Sequence, residues 1–110
     1  MDHHQLSEMI NGWFIGDFAP SVVRTPGFEV GVNRYNAGDQ EAEHFHKIAT
    51  EITVVVSGRI QMAGAEWDEG SIIHLPPGTS SSFRAITDAV LTVVKFPSVA
   101  GDKYLGTSQD

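Results

Sequence analysis

The stretch that most limits how this chain can fold runs from Gly38 to Gly58, GDQEAEHFHKIATEITVVVSG. Its second half, Ile52-Thr53-Val54-Val55-Val56, is β-branched at every position. Side chains that branch at Cβ crowd the preceding turn of a helix but pack well on a pleated surface, so a strand is favoured here. Ahead of this run, His44 and His46 lie two apart and Glu51 precedes Ile52 directly. Residues two apart on a strand share a face, which turns both imidazoles one way and Phe45 the other. A carboxylate arriving from the next strand completes three donors, a set suited to zinc, iron, manganese, nickel or copper. Histidines and a glutamate beside a turn also occur as a plain solvated edge, and H-x-H alone leaves both readings open.

Composition removes several classes. The 110 residues are read as one domain, 1–110, large enough to bury a core without covalent or metal staples. With no cysteine there is no disulfide, thiolate ligand or cysteine nucleophile. Fourteen acidic side chains against seven basic ones give a net charge of −7, and no Lys/Arg cluster appears. Nucleic acid and anionic membrane are disfavoured as partners. The longest mostly apolar stretch, around Ile52 to Val56, is far too short to span a bilayer, and the N-terminus lacks a basic region followed by an apolar one. A cytoplasmic location is the expectation. His3 and His4, a terminal pair, are left out of any site.

Turn residues divide the remainder into short strands. Residues 5–11 read as a single helical turn capped by Ser7 and ended by Gly12. Trp13 to Phe18 is too apolar for water and is expected to pack across the barrel or to add a strand to a neighbouring subunit. After a loop at Pro20, Pro26 and Gly27, Phe28, Val30 and Val32 alternate with Glu29, Gly31 and Asn33 as in a half-buried strand, closed by a turn at Asn36 to Asp39. Asp39, Glu41 and Glu43 have the parity opposite to the histidines and read as a solvated outer face. Further strands are read at Ile52–Val56, Arg59–Met62 with Met62 as core filler, a short return from Trp67, Ser71–Leu75, Ser80–Ala85 and Val90–Phe96. The polar tail from Ser98 is expected to be loosely held, with Tyr104 and Leu105 as anchors. Roughly seven or eight short strands with almost no helical periodicity indicate an all-β sandwich or barrel.

The spacing within Gly38–Gly58 resembles the first signature motif of the cupin superfamily: glycine, five residues, His44, one residue, His46, four residues, Glu51, six residues, glycine. A partial second motif follows as Gly70, five residues, Pro76, one residue, Gly78. The resemblance implies an all-β double-stranded β-helix, the jelly-roll barrel, over roughly residues 28–97. It implies that His44, His46 and Glu51 hold a divalent metal ion (Fe, Mn, Ni or Zn) at the barrel mouth, and that the chain pairs into a homodimer through its N-terminal strand. The chain departs from the family where a histidine normally stands three residues after the second motif's last glycine. Ser81 occupies that position, and Ala85 stands in place of the family's asparagine. Three donors remain. They fit either an open two-histidine, one-carboxylate centre for oxygenase, isomerase or decarboxylase chemistry on a small molecule, or a barrel that has become a metal-free or structural-metal module binding a sugar or organic acid.

Three further residues are candidates for the pocket or its support. Tyr35 precedes the first motif on a strand expected to line the barrel, and could offer a hydroxyl. His74, two before Pro76, reaches the pocket only if its side chain points inward. Ser81 is small and polar and could hold a metal-bound water. Arg34, Arg59 and Arg84 are the cations weighed for an anionic substrate, and the apolar neighbours of Arg59 and Arg84 on their strands place these two in solvent.

Overall fold

The computed structural model describes residues 1–107. Among them a single 3-10 turn, Leu6–Glu8, precedes eleven strands: β1 (Trp13–Gly16), β2 (Val23–Arg24), β3 (Glu29–Tyr35), β4 (Gln40–Phe45), β5 (Thr50–Ser57), β6 (Arg59–Met62), β7 (Ala65–Asp68), β8 (Ile72–Leu75), β9 (Ser81–Ala85), β10 (Ala89–Phe96) and β11 (Tyr104–Leu105). The β-branched run becomes β5, a central strand paired antiparallel to β10 on one side and β8 on the other. These strands belong to a six-stranded sheet in the order β2-β1-β3-β10-β5-β8. A second sheet, β11-β4-β9-β6-β7, faces it and completes the double-stranded β-helix.

Burial follows the two-residue period of extended chain on β5, β6, β8, β9 and β10. Val55, Leu91, Val93 and Ile73 from one sheet meet Ile60, Met62, Phe83 and Ala85 from the other in one apolar core. Val55 and Ile60 are fully buried, each contributing about 2 kcal/mol of transfer free energy.

Several expectations are corrected. On β3 the alternation is present but inverted: Gly31 and Asn33 are buried, whereas Phe28 is exposed and Val30 and Val32 are half-buried. The six-stranded sheet is apolar on its outer face as well, where Val30, Val94, Ile52, Val54 and Ile72 lie on successive strands. Alternation alone could not say which of two apolar-looking faces was inner. The inward face of β3 is instead claimed by polar partners and by the Trp13 ring, which packs so close over Gly31 that a Cβ there would come within 2.7 Å of it. Trp13 belongs to β1, which joins β3 in its own sheet rather than crossing the barrel. The N-terminal turn is closed by Glu8, whose carboxylate accepts the Gln5 N–H at 3.0 Å, so the cap is Gln5 and not Ser7. As far as Thr107 the tail is held more firmly than expected: Tyr104 and Leu105 pair with Phe45 and His44 as β11, and Ser98 and Asp102 are buried; residues 108–110 lie outside the described residues.

All four motif glycines, Gly38, Gly58, Gly70 and Gly78, have positive φ. At Gly58 a Cβ would also collide with the carbonyl oxygen of Asp88, so the turn from β5 to β6 demands glycine twice over. At Gly38 nothing lies within 4 Å of that position, and only the backbone conformation is at stake. We expect Gly58→Ala to cost about 3 kcal/mol or more and Gly38→Ala about 1 kcal/mol, read as shifts in the urea unfolding midpoint.

Candidate metal centre

A cavity of about 800 Å³ is lined from both sheets and by the N-terminal segment around Leu6 to Trp13. His44, His46, Glu51, Tyr35 and Ser81 all face it, so the fold gathers five of the six residues singled out from sequence. The sixth, His74, is exposed on β8 and takes no part in the lining. It stands opposite Ile52, whose parity on β5 is contrary to that of Glu51.

His44 lies near the end of β4 and His46 just beyond it, their rings edge to face with centroids 5.4 Å apart. Nδ1 of His44 is 3.0 Å from the carbonyl oxygen of Ala42. A carbonyl only accepts, so this nitrogen carries a proton, which leaves Nε2 as the nitrogen that can ligate a metal. Phe45 turns the other way and stacks on Tyr104 at 5.6 Å.

His46 is buried in the loop between β4 and β5. Burial is the main cause that pushes its pKa down to about 4, reinforced by the positive charge of Lys95 and by His44. It is therefore a neutral imidazole at pH 7. The loop itself is fixed from a distance: the buried Asp102 carboxylate accepts the backbone N–H groups of Lys47, Ile48 and Ala49 at 2.9–3.2 Å. The backbone N–H of Gly78, in the second motif, donates to the carbonyl of His46 at 2.6 Å.

Glu51 sits inward at the start of β5, where the fully buried Thr53 donates its hydroxyl to Oε2 at 2.9 Å. The other oxygen, Oε1, is 4.0 Å from Nδ1 of His46. Ser81 is buried on β9 directly across from His44.

The donor chemistry suits a divalent ion: two imidazoles and a carboxylate whose second oxygen is already engaged. The side-chain positions are more open. Among the described residues no three His, Asp or Glu groups stand close enough together to ligate one ion as placed here. The 4.0 Å between His46 and Glu51 exceeds the roughly 3.0–3.5 Å that two ligands bonded at about 2.1 Å span at octahedral or tetrahedral angles.

Two features escaped the sequence reading. Glu41 lines the cavity although its parity opposes that of the histidines. The cause is a β-bulge: Glu41 pairs with Phe83 and His44 with Ser81, so three steps on β4 match two on β9 and the parity is reset. Tyr35 packs on Phe83 with the rings tilted by 43° and directs its hydroxyl to Glu41 at 3.4 Å; burial and that carboxylate hold its pKa well above the usual tyrosine range, so it remains a donor. The second feature is Lys95, which faces the cavity from β10 in register with Glu29 on one neighbouring strand and Glu51 on the other. Its position in an apolar strand gave no local signal. Arg59 is confirmed in solvent, paired with Glu66 at 2.9 Å and Asp68 at 2.6 Å, and Arg84 is likewise exposed.

No family model matches the sequence, and no curated protein matches it. Solved structures do match in fold. A protein with a double-stranded β-helix domain from Klebsiella pneumoniae superposes with a TM-score of 0.70 at 22% identity, over 80% of this chain and 76% of that one. KdgF from Halomonas gives 0.63 at 20% identity, over 69% and 74%. A sugar phosphate isomerase of the cupin superfamily from Silicibacter pomeroyi gives 0.60 at 22% identity, over 64% and 50%.

The buried state of His46 gives a pH signature. The unfolded chain binds a proton on this imidazole near pH 6.5, whereas the folded chain does so only near 4. Between those values the unfolded state holds more protons, so stability is complete above about 6.5, falls as the pH drops, and stops falling from this source below about 4. The loss is on the order of 2–3 kcal/mol. Urea titrations from pH 7.5 to 4 should show this slope in the native protein and a correspondingly smaller one in His46→Gln.

Proposed function

We propose that this chain, a cupin in fold, is a small-molecule protein that holds one divalent metal ion through His44, His46 and Glu51. What carries the reading is that all three donors face one cavity of about 800 Å³, a size that suits a small organic ligand. The bound ion would supply Lewis-acid or redox chemistry with open positions facing the cavity. The protein's own groups prepare the site. The Ala42 carbonyl sets the His44 tautomer, Thr53 fixes one oxygen of Glu51, and the Asp102 clamp holds the His46 backbone. Binding the ion requires rotations of the three side chains that bring their donors onto one point, motions that are fast for side chains. Tyr35 and Glu41, 3.4 Å apart at the wall, are placed to exchange a hydrogen bond with a bound molecule.

A second reading, a binding module without turnover, is favoured by Ser81: a buried hydroxyl stands across from His44 where a fourth ligand would close the centre. Elemental analysis separates the two. The first reading expects about one equivalent of iron, manganese, nickel or zinc per chain, and His44→Ala reduces it to background. Retention of none of the four by the native protein, with uptake only by Ser81→His, decides for the module.

We also assign a homodimer, through the outer face of the six-stranded sheet rather than through an exchanged N-terminal strand. The observation behind it is the row Val30, Val94, Ile52, Val54 and Ile72 across four strands, with Ile72 70% exposed. Light scattering should give twice the chain mass, and Ile52→Lys with Ile72→Lys should reduce it to one.

A further inference from the structure

The charge of this protein is unevenly distributed. Seven basic and fourteen acidic residues give the whole chain −7, yet three of the seven cations, Arg34, Lys95 and Lys103, line the large cavity against two acids, Glu41 and Glu51. Counting Glu29, which pairs with Lys95, this region is neutral while the rest of the chain carries the whole −7, so the cavity is less repellent to an anion than the remaining surface. Arg34 and Lys103 are exposed, whereas the Lys95 side chain is only 20% exposed and rigidly held.

Its holders are specific. Glu29 Oε1 receives one ammonium proton at 2.8 Å, and the other oxygen of Glu29 is occupied by the Ser98 hydroxyl at 2.7 Å, which in turn accepts the Asp17 N–H at 2.9 Å. The Trp13 ring lies 4.9 Å from Nζ. An ammonium has three protons and Glu29 takes one. Two protons remain, and Lys95 is among the residues that line the cavity, on the same side of the sheet as Glu51.

From this we infer that the cavity selects a small carboxylate anion, with Lys95 as the residue that anchors it and the Glu29–Ser98 pair as the buttress that keeps Lys95 in place. The inference rests on the small-molecule reading above and names the ligand class. Glu29 already answers the Lys95 charge in part, but it takes only one of the three ammonium protons. To the others a neutral sugar or alcohol offers an ordinary hydrogen bond, whereas a carboxylate offers a charge-assisted one in a partly dry site.

Succinate and its neutral diamide, succinamide, are the probes, titrated calorimetrically into the full-length protein stripped with EDTA and, separately, into protein loaded with zinc. Succinate is expected to bind the stripped protein, to weaken as salt is raised, and to lose about tenfold or more in Lys95→Met, while Arg84→Gln on the outer surface binds as the native chain does. Succinamide is expected not to bind. The methionine retains the apolar stem, and an unchanged melting temperature in Lys95→Met/Glu29→Gln checks that the fold survives. Equal binding of succinate and succinamide overturns the inference, as does undiminished binding by Lys95→Met. Succinate binding that appears only with zinc and survives Lys95→Met overturns it while leaving the metal reading standing. Binding by the stripped protein together with failure to take up any metal sinks the metal reading and leaves the anion site.

Discussion

The buried carboxylate of Asp102 is the constraint on which the site depends. The segment from His46 to Ala49 has no sheet ladder of its own, and although Lys47 and Ile48 are exposed, its ends at His46 and Ala49 are buried, where backbone N–H groups need partners. Asp102 satisfies three consecutive ones with its two oxygens, at a separation of up to 55 residues in sequence. Charge-assisted bonds of this kind are short and strong, and they hold the loop while the chain passes from β4 in one sheet to β5 in the other. His46 and Glu51 flank that crossing. The tail that brings Asp102 into place is itself secured by β11 on β4 and by the stacking of Tyr104 on Phe45, so the C-terminal residues belong to the architecture of the site.

The second motif acts through the same region. Gly78 passes its N–H to the carbonyl of His46, and β9 brings Ser81 across from His44, so the two motifs meet in space although some thirty residues separate them. Their glycines make this possible because each takes a backbone conformation that other residues adopt only with strain. Motif spacing therefore records turn geometry first and chemistry second.

The wall of the cavity combines groups of opposite charge at close quarters. Lys95 lies between Glu29 and Glu51 in the sheet register, pairs with the first, and by its charge helps keep His46 neutral. A neutral imidazole in that place is ready to act as a lone-pair donor. Trp13, brought in by β1 and admitted by the bare Cα of Gly31, lies beside Lys95 and lines the cavity with it. The N-terminal strand thus shapes the pocket from within its own chain.

What the sequence determined by itself was local. The β-branched run fixed β5, the turn residues marked the strands on either side, and the spacing of His44, His46 and Glu51 named three donors that do face one cavity. These follow from backbone preference and from the two-residue period, which act over a few residues. The tertiary structure decided which face of β3 turns inward, because the six-stranded sheet is apolar on both sides and only Trp13, Asn11 and Lys95 settle the matter. It decided that Glu41 shares a wall with His44, through a bulge that no alternation pattern reveals, and that His74 does not join them. It also supplied Asp102 and Lys95, whose roles rest on partners some 50 to 66 residues away; long-range pairings of that kind leave no periodic trace in the chain.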